Sequence, residues 1–151
     1  MIKHLAYTLN KIKLNVSKRK ISKFNYKLSP EEIKEQFKDR TTQYKYFHHY
    51  FWNISPDWLK KHRDYFSKDK RGFGEDAFHS MWYFIFNKFK PKQVLEIGVY
   101  RGQTISLFSL LANKFGFASE IHGVSPFTSA GDQVSEYLTN LDYENDVKTN
   151  F

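Results

Sequence analysis

The sequence contains no cysteine, so no disulfide can form and its folded state must rest on packing. That absence fits a reducing compartment, and a cytoplasmic location is the expectation. No stretch approaches the ~18 consecutive apolar residues of a transmembrane helix, and no apolar run reaches signal-peptide length. Proline is scarce as well, and each of its four positions (Pro30, Pro56, Pro91 and Pro126) falls where an element should begin or end. Acid is missing from the first thirty residues. They carry Lys3, Lys11, Lys13, Lys18, Arg19, Lys20, Lys23 and Lys27 with no Asp or Glu.

Residues 31–151 hold 16 basic and 16 acidic residues, so the whole net charge of +8 sits in the leader. This is a basic tail over residues 1–28 on a balanced body, unlike the basic face of a nucleic-acid-binding domain, and nucleic acid is not the expected partner. Ile2, Leu5, Leu9, Ile12 and Val16 recur at helical steps with lysines between them. Two readings of the tail stay open: a solvated, partly helical segment, or a helix making weak contact with an anionic membrane surface. With one arginine among eight cations, it does not read as a transit peptide.

What the chain has in quantity is aromatic: 15 Phe, 10 Tyr and 3 Trp. A domain of ~150 residues can bury roughly 68–70% of the surface its unfolded chain exposes, and these rings supply core material. Ser29-Pro30-Glu31-Glu32 predicts a helix start with a capping box, the helix running to about Arg40. A second helix carries Tyr44, Tyr46, Phe47, Tyr50, Phe51 and Trp52, and a third opens at Ser55-Pro56-Asp57. After the turn Gly72-Phe73-Gly74, Glu75 and Asp76 open a helix with almost no polar side, the pattern of a buried helix ended by Pro91. The period then changes: Val94-Leu95-Glu96-Ile97 reads as a strand, 105–114 as a helix, and Ile121-His122-Gly123-Val124 as a second strand, which makes a βαβ unit. Further helices are expected around 133–139 and 142–151.

The stretch that carries chemistry is Glu96-Ile97-Gly98-Val99-Tyr100-Arg101-Gly102-Gln103-Thr104. A carboxylate closes the strand, and glycines stand at the first and fifth positions of the turn. Gly98 lets the backbone bend and a ligand approach closely. The helix start at Gly102 presents unpaired N–H groups to an anionic group. Glu96 offers an acceptor to an ammonium or hydroxyl. Position 100 is Tyr, which rules out the dinucleotide fingerprint Gly-x-Gly-x-x-Gly, and Gly-Lys-Ser/Thr is missing, which rules out a P-loop.

Glu-x-Gly-x-x-x-Gly-x-Thr resembles the first motif of class I S-adenosylmethionine (SAM)-dependent methyltransferases. Arg71-Gly72-Phe73-Gly74-Glu75-Asp76-Ala77-Phe78, the helix after it, 94–104 and Gly123-Val124-Ser125-Pro126-Phe127 together look like the bacterial group that includes cephalosporin-hydroxylase-like and sugar O-methyltransferase-like proteins. The resemblance covers about residues 70–151. The expected organisation is α/β: a basic tail (1–28), a helical N-terminal region (29–72) and, as the resemblance implies, the start of a Rossmann-like methyltransferase sheet (73–151). The resemblance covers the last of these alone. It implies SAM as cofactor, bound by Glu96, Gly98, Tyr100, Arg101, Gly102, Gln103, Thr104, Ser125 and Pro126, and methyl transfer to a small-molecule acceptor, through oxygen before carbon or nitrogen. Where many members place an acid for the ribose hydroxyls, this chain has Ser125-Pro126.

A doubly wound sheet needs about five or six strands, whereas residues 94–151 hold two. The expectation is therefore an incomplete domain that is inactive alone, with no catalytic base to assign and an unpaired edge favouring self-association. Two further readings stay open: a split-gene or remnant binding module without catalysis, and a basic, aromatic nucleic-acid or membrane-surface binder. The bland alternatives are an ordinary βα turn for residues 96–104, and solvent-facing side chains for Tyr100 and Arg101. His48-His49, adjacent in a helix and without cysteine support, makes a poor metal site, so no metal is expected. His79 and His122 are expected to be satisfied core histidines, the aromatic run 44–52 core, and Lys60-Lys61-His62-Arg63 a solvated helix face.

Overall fold

The structure is a computed structural model that describes residues 24–127 and 140–150. The basic tail up to residue 23 and the helix expected around 133–139 lie outside the described residues. Six helices and two strands are described: α1 (Pro30–Gln36), α2 (Arg40–Asn53), α3 (Asp57–Ser67), α4 (Asp76–Phe89), β1 (Gln93–Ile97), α5 (Gln103–Lys114), β2 (Glu120–Val124) and α6 (Tyr143–Thr149). The protein is mixed α/β and mostly helical. Among the described residues, no helix is long and apolar enough to cross a membrane.

Local chemistry sets most of the boundaries. Ser29 Oγ accepts from the Glu32 N–H at 3.2 Å while Glu32 accepts from the Ser29 N–H at 2.7 Å, the reciprocal cap that starts α1. This helix stops at Gln36, short of Arg40, because Asp39 is committed to the next start: its carboxylate accepts from the Thr42 N–H at 2.8 Å. Lys90 adopts a left-handed conformation after α4, and Pro91 follows. The Asp142 side chain caps α6 through the Asn145 N–H at 3.0 Å.

The strands β1 and β2 pair in parallel, with Val94 beside Ile121, Glu96 beside Gly123 and Ile97 beside Val124, and α5 makes the crossover. The buried core joins Phe51 and Leu59 to Phe86, Leu107, Phe108 and Leu111, with Trp82, Val94 and Ile121 packed against it. The rings of Phe86 and Phe108 stack at 4.9 Å, and Trp82 meets Phe108 edge-on at 4.7 Å. Tyr50 and Phe47 meet Phe84 at 4.8 and 5.6 Å, packing α2 on α4, while Trp52 at the end of the aromatic run 44–52 is exposed rather than core.

Two sequence expectations are corrected by this packing. The helix α4 is not buried all round: it buries Ala77, His79, Ser80 and Phe86, whereas Phe78, Ile85 and Phe89 are exposed. Its partners α2, α5 and, over a smaller area, α3 are narrow helical surfaces, and they cover less of it than a sheet would. The second correction concerns His122, which is exposed. Strand parity sends Val94, Glu96 and Ile121 toward the helices and puts His122 beside Leu95, Ile97 and Val124 on the other face, where Ile97 is 82% exposed.

Candidate functional site

The turn between β1 and α5 extends the ladder by one bond, Gly98 N–H to Val124 O at 2.8 Å, and then bends sharply. Gly98, Tyr100 and Gly102 have φ of 89°, 51° and 85°, the left-handed region in which glycine is at ease and tyrosine is not. Val99 folds back beneath the turn and is buried. It lies directly over Gly123, where an added Cβ would stand 2.6 Å from Val99 Cγ2. The turn therefore needs a glycine on the neighbouring strand, a requirement that motif spacing within 96–104 does not reveal.

Glu96 sits on the inner face opposite Gly123 and is half-buried. Burial raises its carboxyl above the ordinary range, opposed by hydrogen bonds from the Thr104 side chain and the Ile105 N–H. Glu96 thus stands beside the first turn of α5, whose own N-cap, Gly102, has no side chain to offer. Among the described residues, Glu96 Oε2 is nevertheless buried without a hydrogen-bond partner, and so is Ser125 Oγ just past the end of β2. Above Gly98 there is open space, with nothing among the described residues within 4 Å of where a Cβ would stand. The carboxyl end of this small sheet thus holds an acceptor and a hydroxyl without partners beside an accessible backbone, with Pro126 exposed next to them.

The remaining residues of the motif make other contacts. Tyr100 donates to Lys70 O at 3.1 Å, and its ring packs between Phe73 and Tyr143. Arg101 is only 7% exposed; its Nε bonds the Asp146 carboxylate and its Nη1 donates to Asp69 O at 2.8 Å. Gln103 is buried too, with Oε1 accepting from the Gly74 N–H at 2.9 Å. The structure therefore gathers Glu96, Gly98, Thr104 and Ser125 at the strand ends, and ties Tyr100, Arg101 and Gln103 to the segment 69–74 and to α6.

This bracing carries a testable consequence. A Cβ at Gly72 would lie 1.9 Å from Gln103 Oε1 and 2.6 Å from its Cδ, so the buried side chain would have to move and abandon Gly74. Gly72→Ala is expected to destabilise the protein by about 1–3 kcal/mol in urea unfolding. The same substitution in a Gln103→Ala background should cost clearly less. Equal losses in both backgrounds would put the strain somewhere other than against Gln103.

A second polar cluster lies where the sequence suggested a solvated face. In Lys60-Lys61-His62-Arg63 only Lys61 is exposed; His62 turns into the core side of α3 and Arg63 reaches Asp76 Oδ1 at 3.2 Å. The reason is the α-helical period: His62 lies three residues from Leu59 and four from Phe66, the two buried residues of α3. His62 Nδ1 is 3.2 Å from His79 Nε2, and His62 Nε2 is 3.2 Å from Ser106 Oγ. The chain ends on two carbonyls: Glu75 O lies 3.2 Å from His79 Nδ1, and Asn150 O lies 3.1 Å from Ser106 Oγ.

Four links need four protons, and two neutral imidazoles with one hydroxyl supply three. When His79 donates to Glu75 O and Ser106 donates to Asn150 O, the one proton of His62 remains for the two links on either side of it. Burial holds both histidines neutral, lowering His62 to about 4 and His79 to about 3, with the Arg63 charge pushing the same way. His48 and His49 are also buried, with rings at 86° to each other. Among the described residues, no group of three or more His, Asp or Glu is placed to hold a metal ion. Comparisons with family models, curated proteins and solved structures gave no match to this chain.

Proposed function

We propose that the turn from Glu96 to Thr104 is the cofactor turn of a Rossmann-like, SAM-dependent methyltransferase that acts on a small hydroxyl-bearing molecule. The observation that carries this reading is the carboxylate of Glu96. It lies beside Thr104 and Ile105 at the first turn of α5, and Oε2 is buried without a partner among the described residues at the carboxyl end of a parallel strand. In open α/β sheets that is where ligands bind. A buried acceptor without a donor is costly, and an ammonium group satisfies it.

The residues fit the cofactor in three respects. Glu96 Oε2 matches the ammonium of its amino-acid part, the bare backbone at Gly98 admits close approach, and Ser125 Oγ offers one hydrogen bond to a hydroxyl at the next strand end. When bound, SAM supplies a methyl already activated by its sulfonium. The protein's work is then to align the acceptor and to supply a base. Arg101 and Gln103 support the turn from behind in this reading.

Isothermal titration of the 151-residue chain with S-adenosylhomocysteine tests the proposal. Saturable binding is expected, lost in Glu96→Ala and strongly weakened in Glu96→Gln, which keeps the size but not the charge. A folded chain that takes up no S-adenosylhomocysteine would leave the motif as scaffold and end the methyltransferase reading.

A further inference from the structure

The turn 98–102 does not hold its own shape. Tyr100 is a non-glycine residue at φ 51°, and Asp69 and Lys70, which face it, both stand at φ 52°. Such conformations cost of order 1 kcal/mol each and persist where the surroundings impose them. What imposes this one comes largely from α6. Tyr143 packs on the Tyr100 ring, Asp146 binds Arg101, and Val147 lies against Gly102. Asn150, one turn on, donates from Nδ2 to Arg101 O at 2.9 Å. These residues follow at steps of three, four and seven, so a single stripe of α6 meets the turn.

Two features make this more than ordinary packing. The first is that α6 has seven residues and cannot persist as an isolated helix in water. Its shape depends on docking, and docking is anchored outside the turn: Asn150 Oδ1 accepts from Tyr65 OH at 2.6 Å, and Asn150 O faces Ser106. The second is that the Arg101–Asp146 pair is largely withdrawn from water, at 8% and 25% side-chain exposure. Burying an ion pair gives little net stability, and its best-attested use is to fix one arrangement among several.

We propose that Asp146 and Asn150 are positioning residues, which strap α6 across the back of the cofactor turn and hold it in the left-handed shape that leaves Gly98 open. The inference rests on the cofactor reading given above. Turn and helix order each other, so ligand binding at the front tightens α6 at the back, and docking of α6 raises affinity at the front by the same factor.

The test is hydrogen exchange of the full chain, read at residues 99–105 and 143–150, with and without S-adenosylhomocysteine, beside titration of Asp146→Asn, Asn150→Ala and Asp146→Glu. In the wild type, ligand should slow exchange in α6, which it does not touch. Asp146→Asn and Asn150→Ala should weaken binding by about tenfold, within the usual range of such couplings, and Asp146→Glu should recover part of the loss. Folded variants that bind as the wild type does while α6 exchanges freely would overturn the strap. If the wild type binds no S-adenosylhomocysteine, the cofactor reading fails, and the ligand-free exchange still decides the strap. Faster exchange at 99–105 in Asp146→Asn supports it, and unchanged exchange there refutes it.

Discussion

Between pH 7 and pH 5 the melting temperature is expected to fall by about 10 °C, because two buried histidines must stay neutral for the protein to remain folded. In the unfolded chain both titrate near 6.5, whereas in the folded chain burial lowers His62 to about 4 and His79 to about 3. Above pH 6.5 neither state binds these protons, and the folded state bears no penalty. Below 6.5 the unfolded state takes up protons that the folded state refuses, so stability is lost progressively as pH falls toward 4. Each unit of pH is worth up to about 1.4 kcal/mol per histidine. The pair therefore removes about 2–4 kcal/mol by pH 5, which corresponds to the stated shift in a domain of this size.

The charged groups around the pair do not rescue it. Arg63 opposes protonation of both rings, and the Asp76 carboxylate that faces this cluster is already engaged by Arg63 and by Trp52 Nε1. Glu75 presents its carbonyl to His79, while its carboxylate binds the Tyr44 hydroxyl on the other side. On α5 the chain meets only the uncharged Ser106, and Asp146 of α6 is bound to Arg101. His79→Gln should roughly halve the slope of melting temperature against pH between 6.5 and 5. A melting temperature that stays level across that window would show that the histidines are not held neutral in the fold.

Phe86→Ala is expected to cost about 3–5 kcal/mol, a large fraction of the 5–15 kcal/mol that separates folded from unfolded domains. Phe86 is 1% exposed, stacks on Phe108 and touches Trp82 and Phe117, so truncation opens a cavity between α4, α5 and the loop before β2. Phe89, three residues on, is 65% exposed, and Phe89→Ala should change stability by less than about 0.5 kcal/mol. Urea unfolding of the two variants side by side gives the contrast. Similar losses from both would mean that α4 turns a different side to the core.

That contrast also marks where the sequence stops being informative. The bounds of β1, α5 and β2 are legible because the apolar period switches from two to three-and-a-half between Ile97 and Ile105, with glycines at the switch. The cap at Ser29 is legible because all its partners lie within four residues. In α4, by contrast, Phe78, Ile85, Phe86 and Phe89 look alike, since nearly every position is apolar and periodicity cannot pick a face. His62 sits among three cations, and only its spacing from Leu59 and Phe66 hints at burial. The inward turn of Arg101 and Gln103 depends on Asp146 and Gly74, 45 and 29 residues away. No local pattern encodes contacts at that distance, so a motif names its residues without saying which ones face a ligand and which face the scaffold.

The parallel pairing of β1 with β2 bears on how the chain reaches this state. The strands form no hairpin; Gln93 and Glu120 are partners 27 residues apart. Their first rung can close only after the intervening segment has surrendered its conformational freedom, which makes pairing slow relative to helix formation. As α5 shortens that segment, it lowers the entropy of closure, and helix–helix collapse of α4 on α5 is expected to precede the ladder. Every rung of the ladder joins residues 27 apart, so no end of it is favoured to close first. The turn 98–102, tied to the ladder by the Gly98 N–H to Val124 O bond, is thus expected to take its shape with the sheet and after the helices.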